Sequence, residues 1–191
     1  MVPPTRRAPA AAGFSLVETL VAASLLAIAL AALAELAALA VRTNATARDA
    51  TMATTLAQRK LEELRGLAWG GDALGLPASD LTTDTAASPE TPLGGTGLAP
   101  SPPDTLTENR GGYVDYLDAR GRPLGGGGSP PGGTAYVRRW SIAPLPADPA
   151  DTLVLQVFVT RRPGRTGRGG GPPIPAPDEA LLVGLRTRTV P

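Results

Sequence analysis

Few residues of this chain are placed where they could take part in chemistry, and Glu18 has the most unusual setting among them. It lies near the start of an apolar run, and residues 19–34, between it and Glu35, carry no formal charge. An ionised carboxylate near the start of an apolar helix is costly unless it is paired or stays at the interface, so such residues are candidates for function. We therefore expect Glu18 to lie at one face of a membrane and to meet a positive partner there.

The composition excludes several classes of catalytic and metal site. The sequence contains no cysteine, which removes thiol chemistry and disulfide bonds, and no histidine, which removes the commonest general base and zinc ligand. Ser15 and Ser24 have no base to activate them, and the only lysine, Lys60, completes no such arrangement. The net charge of +1 does not require a nucleic-acid partner. We expect no enzyme activity, no cofactor and no bound metal.

The apolar run is long enough to cross a membrane. A hydrocarbon core of about 30 Å needs roughly 20 helical residues, and residues 16–35 supply that length. Arg6 and Arg7 stand on the short flank, which favours a cytoplasmic N-terminus and places the rest of the chain on the far side. The pattern predicts a single-pass membrane protein.

The motif at residues 13–18, GFSLVE, follows a short basic leader and precedes the apolar helix. In this context it resembles the prepilin N-terminus of type IV pilins and type II secretion pseudopilins. The resemblance implies that a prepilin peptidase in the bacterial inner membrane cuts after Gly13 and N-methylates the new first residue, Phe14. It also implies that Glu18 serves methylation and assembly, and that the partners are other pilin or pseudopilin subunits.

The physical properties of these residues agree with that resemblance. Gly13 has no Cβ, so an extended chain can pass closely through a protease cleft at this point. Cleavage would remove the leader arginines and expose a positive amine on Phe14 at the membrane surface. In a bundle of parallel helices, Glu18 of a neighbouring subunit can supply the counter-charge, and removing one member of such a desolvated pair costs about 3–5 kcal/mol.

Two alternatives stay open at this point. The apolar run could be an uncleaved anchor, or a signal peptide that ordinary signal peptidase cuts after Ala34 or Ala40, which would leave a secreted or membrane-tethered binding domain. Glu35 also stands where many major pilins carry a helix-loosening proline, and this difference favours a minor component over a bulk filament subunit. Glu35 could face either a helix neighbour or the outer interface, and we favour the interface.

Beyond Val41 the apolar positions keep a helical spacing but narrow to one side, which is typical of an amphipathic helix. The pattern predicts one long helix over about residues 15–68, which Gly66 loosens and Gly70 and Gly71 stop. The apolar stripe consists of Ala53, Leu56, Ala57, Leu61, Leu64 and Leu67, and we place Arg59, Lys60, Glu62, Glu63 and Arg65 on the other side.

Strand patterns dominate the C-terminal half. Residues 70–110 are typical of a long irregular connection that could hold a short strand or a turn of helix near residues 76–81. Strands are predicted at residues 112–117, 135–142, 152–160 and 181–187, with a turn at 118–121, a glycine-rich loop at 125–133 and a hairpin connection at 161–177. A helix followed by consecutive strands predicts an α+β fold in which an antiparallel sheet packs on the helix.

The predicted packing and domain boundaries follow from these elements. The aliphatic face of Leu153, Leu155, Val157 and Val159 should meet Leu56, Leu61 and Leu64. We expect a leader at residues 1–13, a transmembrane and assembly helix at 14–41, its amphipathic continuation at 42–69, and a soluble β domain at 70–191. The strand order is similar to that of minor pilins of the PilV type, the type IV pilus modification proteins. It also resembles the pseudopilin GspI, although the C-terminal part is long for that group. Both resemblances imply a periplasmic or extracellular β domain.

Two further groups of residues raise the question of binding. The acidic residues Asp104, Glu108, Asp115 and Asp118 lack the D-x-[DN]-x-[DN]-G order, and calcium needs about six to eight oxygen ligands, so we interpret them as solvated turn carboxylates. The basic run at residues 161–170 could contact DNA phosphates, but it has no interleaved aromatic residues. We expect a plain hairpin loop there.

Overall fold

The fold begins with one long helix. In the computed structural model, which describes residues 13–86, 95–161 and 173–188, helix α1 runs from Leu16 to Gly66, a length of 51 residues. The chain divides into two compact units, residues 1–44 and 45–191, and α1 contributes to both. The predicted helix over residues 15–68 is therefore confirmed, with each end slightly shorter.

In the first unit, the described part of α1 is apolar and exposed along its length. Its hydroxyl groups bond to the helix itself: Thr19 Oγ1 donates to the Leu16 carbonyl and Ser24 Oγ donates to the Leu20 carbonyl, each at 2.8 Å. Because hydrocarbon offers no hydrogen-bond partner, polar groups of a spanning helix must be satisfied internally in this way. Among the described residues, α1 is the helix that is both long enough and apolar enough to cross a membrane.

The second unit contains the sheets. The strands are β1 (Trp69–Gly71), β2 (Pro77–Ser79), β3 (Val114–Leu117), β4 (Pro123–Gly126), β5 (Tyr136–Leu145), β6 (Asp148–Thr160) and β7 (Ala180–Thr187). Strands β1 and β2 form an antiparallel hairpin, and the other five form an antiparallel sheet in the order β4-β3-β5-β6-β7. The C-terminal part of α1 packs on this sheet, so the predicted α+β fold is confirmed.

The core lies between α1 and one face of the five-stranded sheet. The helix contributes its amphipathic stripe, and β6 contributes alternate aliphatic side chains, as the sequence pattern predicts. Both sets belong to one buried cluster, which contains Leu56, Leu61, Leu64, Leu153, Leu155, Val157 and Val159. Trp140 from β5 is fully buried in the same cluster. The predicted meeting of these two faces is confirmed.

Several charged side chains are buried in this core, and the positions of two of them differ from the predictions. Lys60 is 1% exposed rather than on the solvent side of α1, and Asp115 is fully buried in β3 rather than a solvated turn carboxylate. Lys60 Nζ lies 3.1 Å from Asp115 Oδ2, and Arg138 Nη2 lies 2.6 Å from the same oxygen. Arg138 and Asp115 are directly opposite each other in the β3–β5 register, which brings their side chains together on the helix-facing side.

The structure also changes several element boundaries. The loop predicted at residues 125–133 begins inside β4, where Gly125 pairs with Tyr116. A short strand near residues 76–81 is confirmed as β2, but its partner β1 was not expected. Strands β5 and β6 extend until Leu145 pairs with Asp148, so they are joined by a tight turn. The predicted hairpin connection and basic run fall mainly on residues 162–172, outside the described residues.

Candidate functional site

The predicted cleavage point lies just ahead of α1. Gly13, Phe14 and Ser15 precede the helix in non-helical conformations, and α1 begins at Leu16. The side chain of Phe14 is 86% exposed, and no heavy atom lies within 4 Å of the position that a Cβ on Gly13 would occupy. The peptide bond between Gly13 and Phe14 is therefore open to approach.

Ser15 and Glu18 form a reciprocal cap on the start of α1. The backbone N–H of Ser15 donates to Glu18 Oε2 at 2.9 Å, and the backbone N–H of Glu18 donates to Ser15 Oγ at 3.2 Å. This capping box satisfies two of the amide groups that a helix start leaves without partners. The Ser-x-x-Glu spacing could have revealed it in the sequence, but only the charge of Glu18 was considered there.

The cap has two consequences for the candidate site. It marks the beginning of the helix at Leu16, which leaves the Gly13–Phe14 bond outside regular structure. It also gives the Glu18 carboxylate a defined position at the positive end of the helix dipole, three residues after Ser15. The structure thus brings Ser15 and Glu18 together and leaves Phe14 exposed beside them.

Two of the acidic residues that were candidates for calcium binding, Asp115 and Asp118, have protein partners instead. Asp118 Oδ1 accepts hydrogen bonds from the backbone N–H groups of Arg120 and Arg122, at 2.7 and 2.9 Å. Both bonds lower the pKa of Asp118, and the bond from Arg122 has the larger effect. Asp115 is held by Lys60 and Arg138. Among the described residues there is no group of three or more Asp, Glu, His or Cys side chains that could hold a metal ion.

A groove of about 460 Å³ opens on the sheet face away from α1, between residues 101–107 and strands β5 and β6. Ser141 and Gln156 form part of its floor and are joined by a hydrogen bond of 3.1 Å. Among the described residues that line the groove, Asp104 is the only one that can ionise. Such a lining offers hydrogen-bonding groups but no acid–base pair for catalysis.

Comparison with known proteins identifies the N-terminal segment. Residues 9–34 match the family model of the prokaryotic N-terminal methylation motif. No curated protein and no solved structure matches the chain significantly. Together with the helix that is long and apolar enough to span a membrane, the motif supports a type IV pilin-like chain that is processed by a prepilin peptidase and assembles with other pilins.

Proposed function

We propose that this protein is a minor pilin or pseudopilin, a structural subunit of a type IV pilus or of a type II secretion pseudopilus. In this function it is cut after Gly13 and N-methylated at Phe14. The observation that carries the proposal is the methylation motif over residues 9–34, which coincides with an exposed, non-helical Gly13–Phe14 bond ahead of a capped apolar helix.

The membrane arrangement follows from the same segment. Residues 14–41 cross the inner membrane with the leader on the cytoplasmic side, and the β domain lies in the periplasm or outside the cell. Thr19 and Ser24 support this arrangement because their hydroxyl groups bond to helix carbonyls. The basic leader supports a cytoplasmic N-terminus.

Assembly uses the charge of Glu18 a second time. In the uncut chain the carboxylate accepts from the Ser15 amide. Cleavage creates an ammonium group on Phe14, and in a filament Glu18 of one subunit pairs with the Phe14 amine of its neighbour. A helix cap contributes about 1 kcal/mol, whereas breaking a desolvated ion pair costs about 3–5 kcal/mol. Leaving the Phe14 ammonium unpaired in a desolvated bundle would therefore cost more than giving up the cap.

A minor component is favoured over the main filament subunit. Glu35 stands where many major pilins have a proline, and the strand order is similar to that of PilV-type minor pilins. A role in priming assembly or at the filament tip agrees with these features. GspI-like pseudopilins are the other subclass that the sequence resembles.

The N-terminus of the mature protein tests this proposal. We expect mass spectrometry of the protein recovered from its native membranes to find N-methylated Phe14 as the first residue. In cells that lack the prepilin peptidase, the same measurement should find the leader still attached. A mature chain that begins near Glu35 or Val41 would instead identify a secreted domain released by signal peptidase, and the proposal would be wrong.

A further inference from the structure

The only lysine of the chain lies against a buried carboxylate. Lys60 Nζ is 3.1 Å from Asp115 Oδ2, and the two side chains are 1% and 0% exposed. Lys60 Nζ also lies 3.0 Å from Glu63 Oε2, whose side chain is 45% exposed. The amine thus contacts a carboxyl group sealed inside the core and a second one that reaches solvent, and it also donates a hydrogen bond to the Thr85 carbonyl.

Arg138 completes the cluster. Its Nη2 and Nε donate to Asp115 Oδ2 at 2.6 and 3.0 Å, and its Nη1 donates to the Leu56 carbonyl at 3.2 Å. Trp140 covers the amine, with its ring centroid 4.2 Å from Lys60 Nζ. The cluster of Lys60, Arg138, Asp115 and Glu63 therefore contains two cations and two carboxylates, and both cations contact the same buried oxygen, Asp115 Oδ2.

Burying an ion pair costs free energy because both charges lose their hydration. Joining Lys60 to Asp115 as an amide removes one positive and one negative charge together, so the cluster stays neutral with Arg138 and Glu63. The amide keeps a carbonyl oxygen to accept from Arg138. The fold also holds the amine and the carboxyl group in contact, so that they react within one molecule. Well-oriented intramolecular reactions of this kind have effective molarities of up to about 10⁵–10⁸ M.

We propose that Lys60 and Asp115 condense into an intramolecular isopeptide bond. The Lys60 ammonium passes one proton to Asp115, and the free amine attacks Cγ of the neutral carboxyl group while Arg138 stabilises the developing oxyanion. Glu63 takes a second proton from the nitrogen and passes it to the departing hydroxyl as the Cγ–O bond breaks, which releases water. Ammonium and carboxylate give one amide and one water, with no oxidant, reductant or cofactor.

The bond would join α1 covalently to β3 across the core. A chain without cysteine has no disulfide to link its helix to its sheet, and Lys60 lies on the part of α1 that packs on the sheet. If the subunit is pulled along its helix, the cross-link would keep α1 attached to the sheet by a covalent bond as well as by packing.

The mass of the purified full-length chain in detergent tests the proposal. We expect it to be lighter than the sequence requires by one water, and proteolysis to yield a branched peptide that joins Lys60 to Asp115. Lys60→Arg keeps the positive charge and should have its full mass. Asp115→Asn should give the same amide by losing ammonia. Glu63→Gln, at the partly exposed position, should slow the reaction and leave a mixture of linked and unlinked chains.

A second readout uses the reactivity of the lysine. After denaturation, Lys60 of the linked chain should not react with an amine-directed reagent. Full mass in the folded wild-type chain after prolonged incubation, with Lys60 reactive on denaturation, would show that the cluster is an ion pair only and would overturn the proposal. This result would leave the proposed processing after Gly13 untouched, since the mass deficit is measured whether the chain starts at Met1 or Phe14.

Discussion

Ser15 and Glu18 cap each other's backbone amides at the first turn of α1, at 3.2 and 2.9 Å. Glu18 therefore has an acceptor role that needs only its oxygen atoms and a pairing role that needs its negative charge. The two roles can be separated by substitution.

Replacing Glu18 by Gln should preserve the cap, because glutamine also serves at this position of a capping box. The charge is lost, so we expect Glu18→Gln and Glu18→Ala to insert into the membrane but to be poorly methylated and poorly incorporated into filaments. Mass spectrometry of the N-terminus and immunoblotting of sheared filaments measure both effects. Assembly of Glu18→Ala at the wild-type level in the native system would contradict the pairing mechanism.

Replacing Ser15 by Ala should weaken the helix start by about 0.5–2 kcal/mol, because the Glu18 amide loses its acceptor. We expect faster amide hydrogen exchange at residues 16–19 of the detergent-solubilised chain. Ser15→Thr provides the matched control, since its hydroxyl can still cap the helix. Equal exchange in the alanine and threonine variants would mean that the hydroxyl does not hold the helix start.

Leu64 tests the interface between α1 and the sheet. It is fully buried in the main core cluster, so Leu64→Ala should lower the free energy of unfolding by about 2–5 kcal/mol. Leu74 is 83% exposed in the β1–β2 connection, and Leu74→Ala should change it by less than about 0.5 kcal/mol. Denaturant unfolding of the detergent-solubilised chain compares the two variants. Similar effects at both positions would be inconsistent with the observed packing.

Arg138 and Arg139 are neighbours on opposite faces of β5, and they should respond differently to substitution. Burial lowers the pKa of Arg139, and its Nη1 and Nη2 are buried with no hydrogen-bond partner among the described residues. We expect Arg139→Met to be neutral or stabilising. Arg138→Met should cost roughly 1–3 kcal/mol, because the Asp115 side chain and the Leu56 carbonyl lose the hydrogen bonds that Arg138 donates, although Asp115 keeps its contact with Lys60. Thermal unfolding should rank Arg138→Met below Arg139→Met, and the reverse order would contradict this prediction.

Asp118 should make the stability depend on pH. Its pKa is lowered in the folded chain, first by the Arg122 amide, so its contribution is complete above the unfolded value of about 3.9 and is lost as the pH falls through the lower folded value. We expect the difference in unfolding free energy between wild type and Asp118→Ala to shrink between about pH 5 and pH 2. A constant difference over this range would show that the charge of Asp118 does not stabilise its turn.

The sequence was sufficient wherever the pattern is local. The apolar run, the helical stripe containing Leu61 and the alternation in β6 each depend on near neighbours, and the structure confirms them. The buried cluster depends on which residue of β3 lies opposite Arg138 and beneath Lys60, and no local pattern specifies that register. The capping box is also local, and the spacing of Ser15 and Glu18 would have been enough to predict it, but only the charge of Glu18 was considered and the cap was not predicted.

The single lysine has a practical consequence for studying assembly. Because Lys60 is enclosed in the folded chain, the α-amino group of an unmethylated N-terminus is the one primary amine outside the core, and methylation of Phe14 would convert it to a less reactive secondary amine. Succinimidyl dyes would therefore mark an unmethylated subunit at one defined end, and loss of that labelling would follow methylation of the terminus or its burial as subunits enter a fibre.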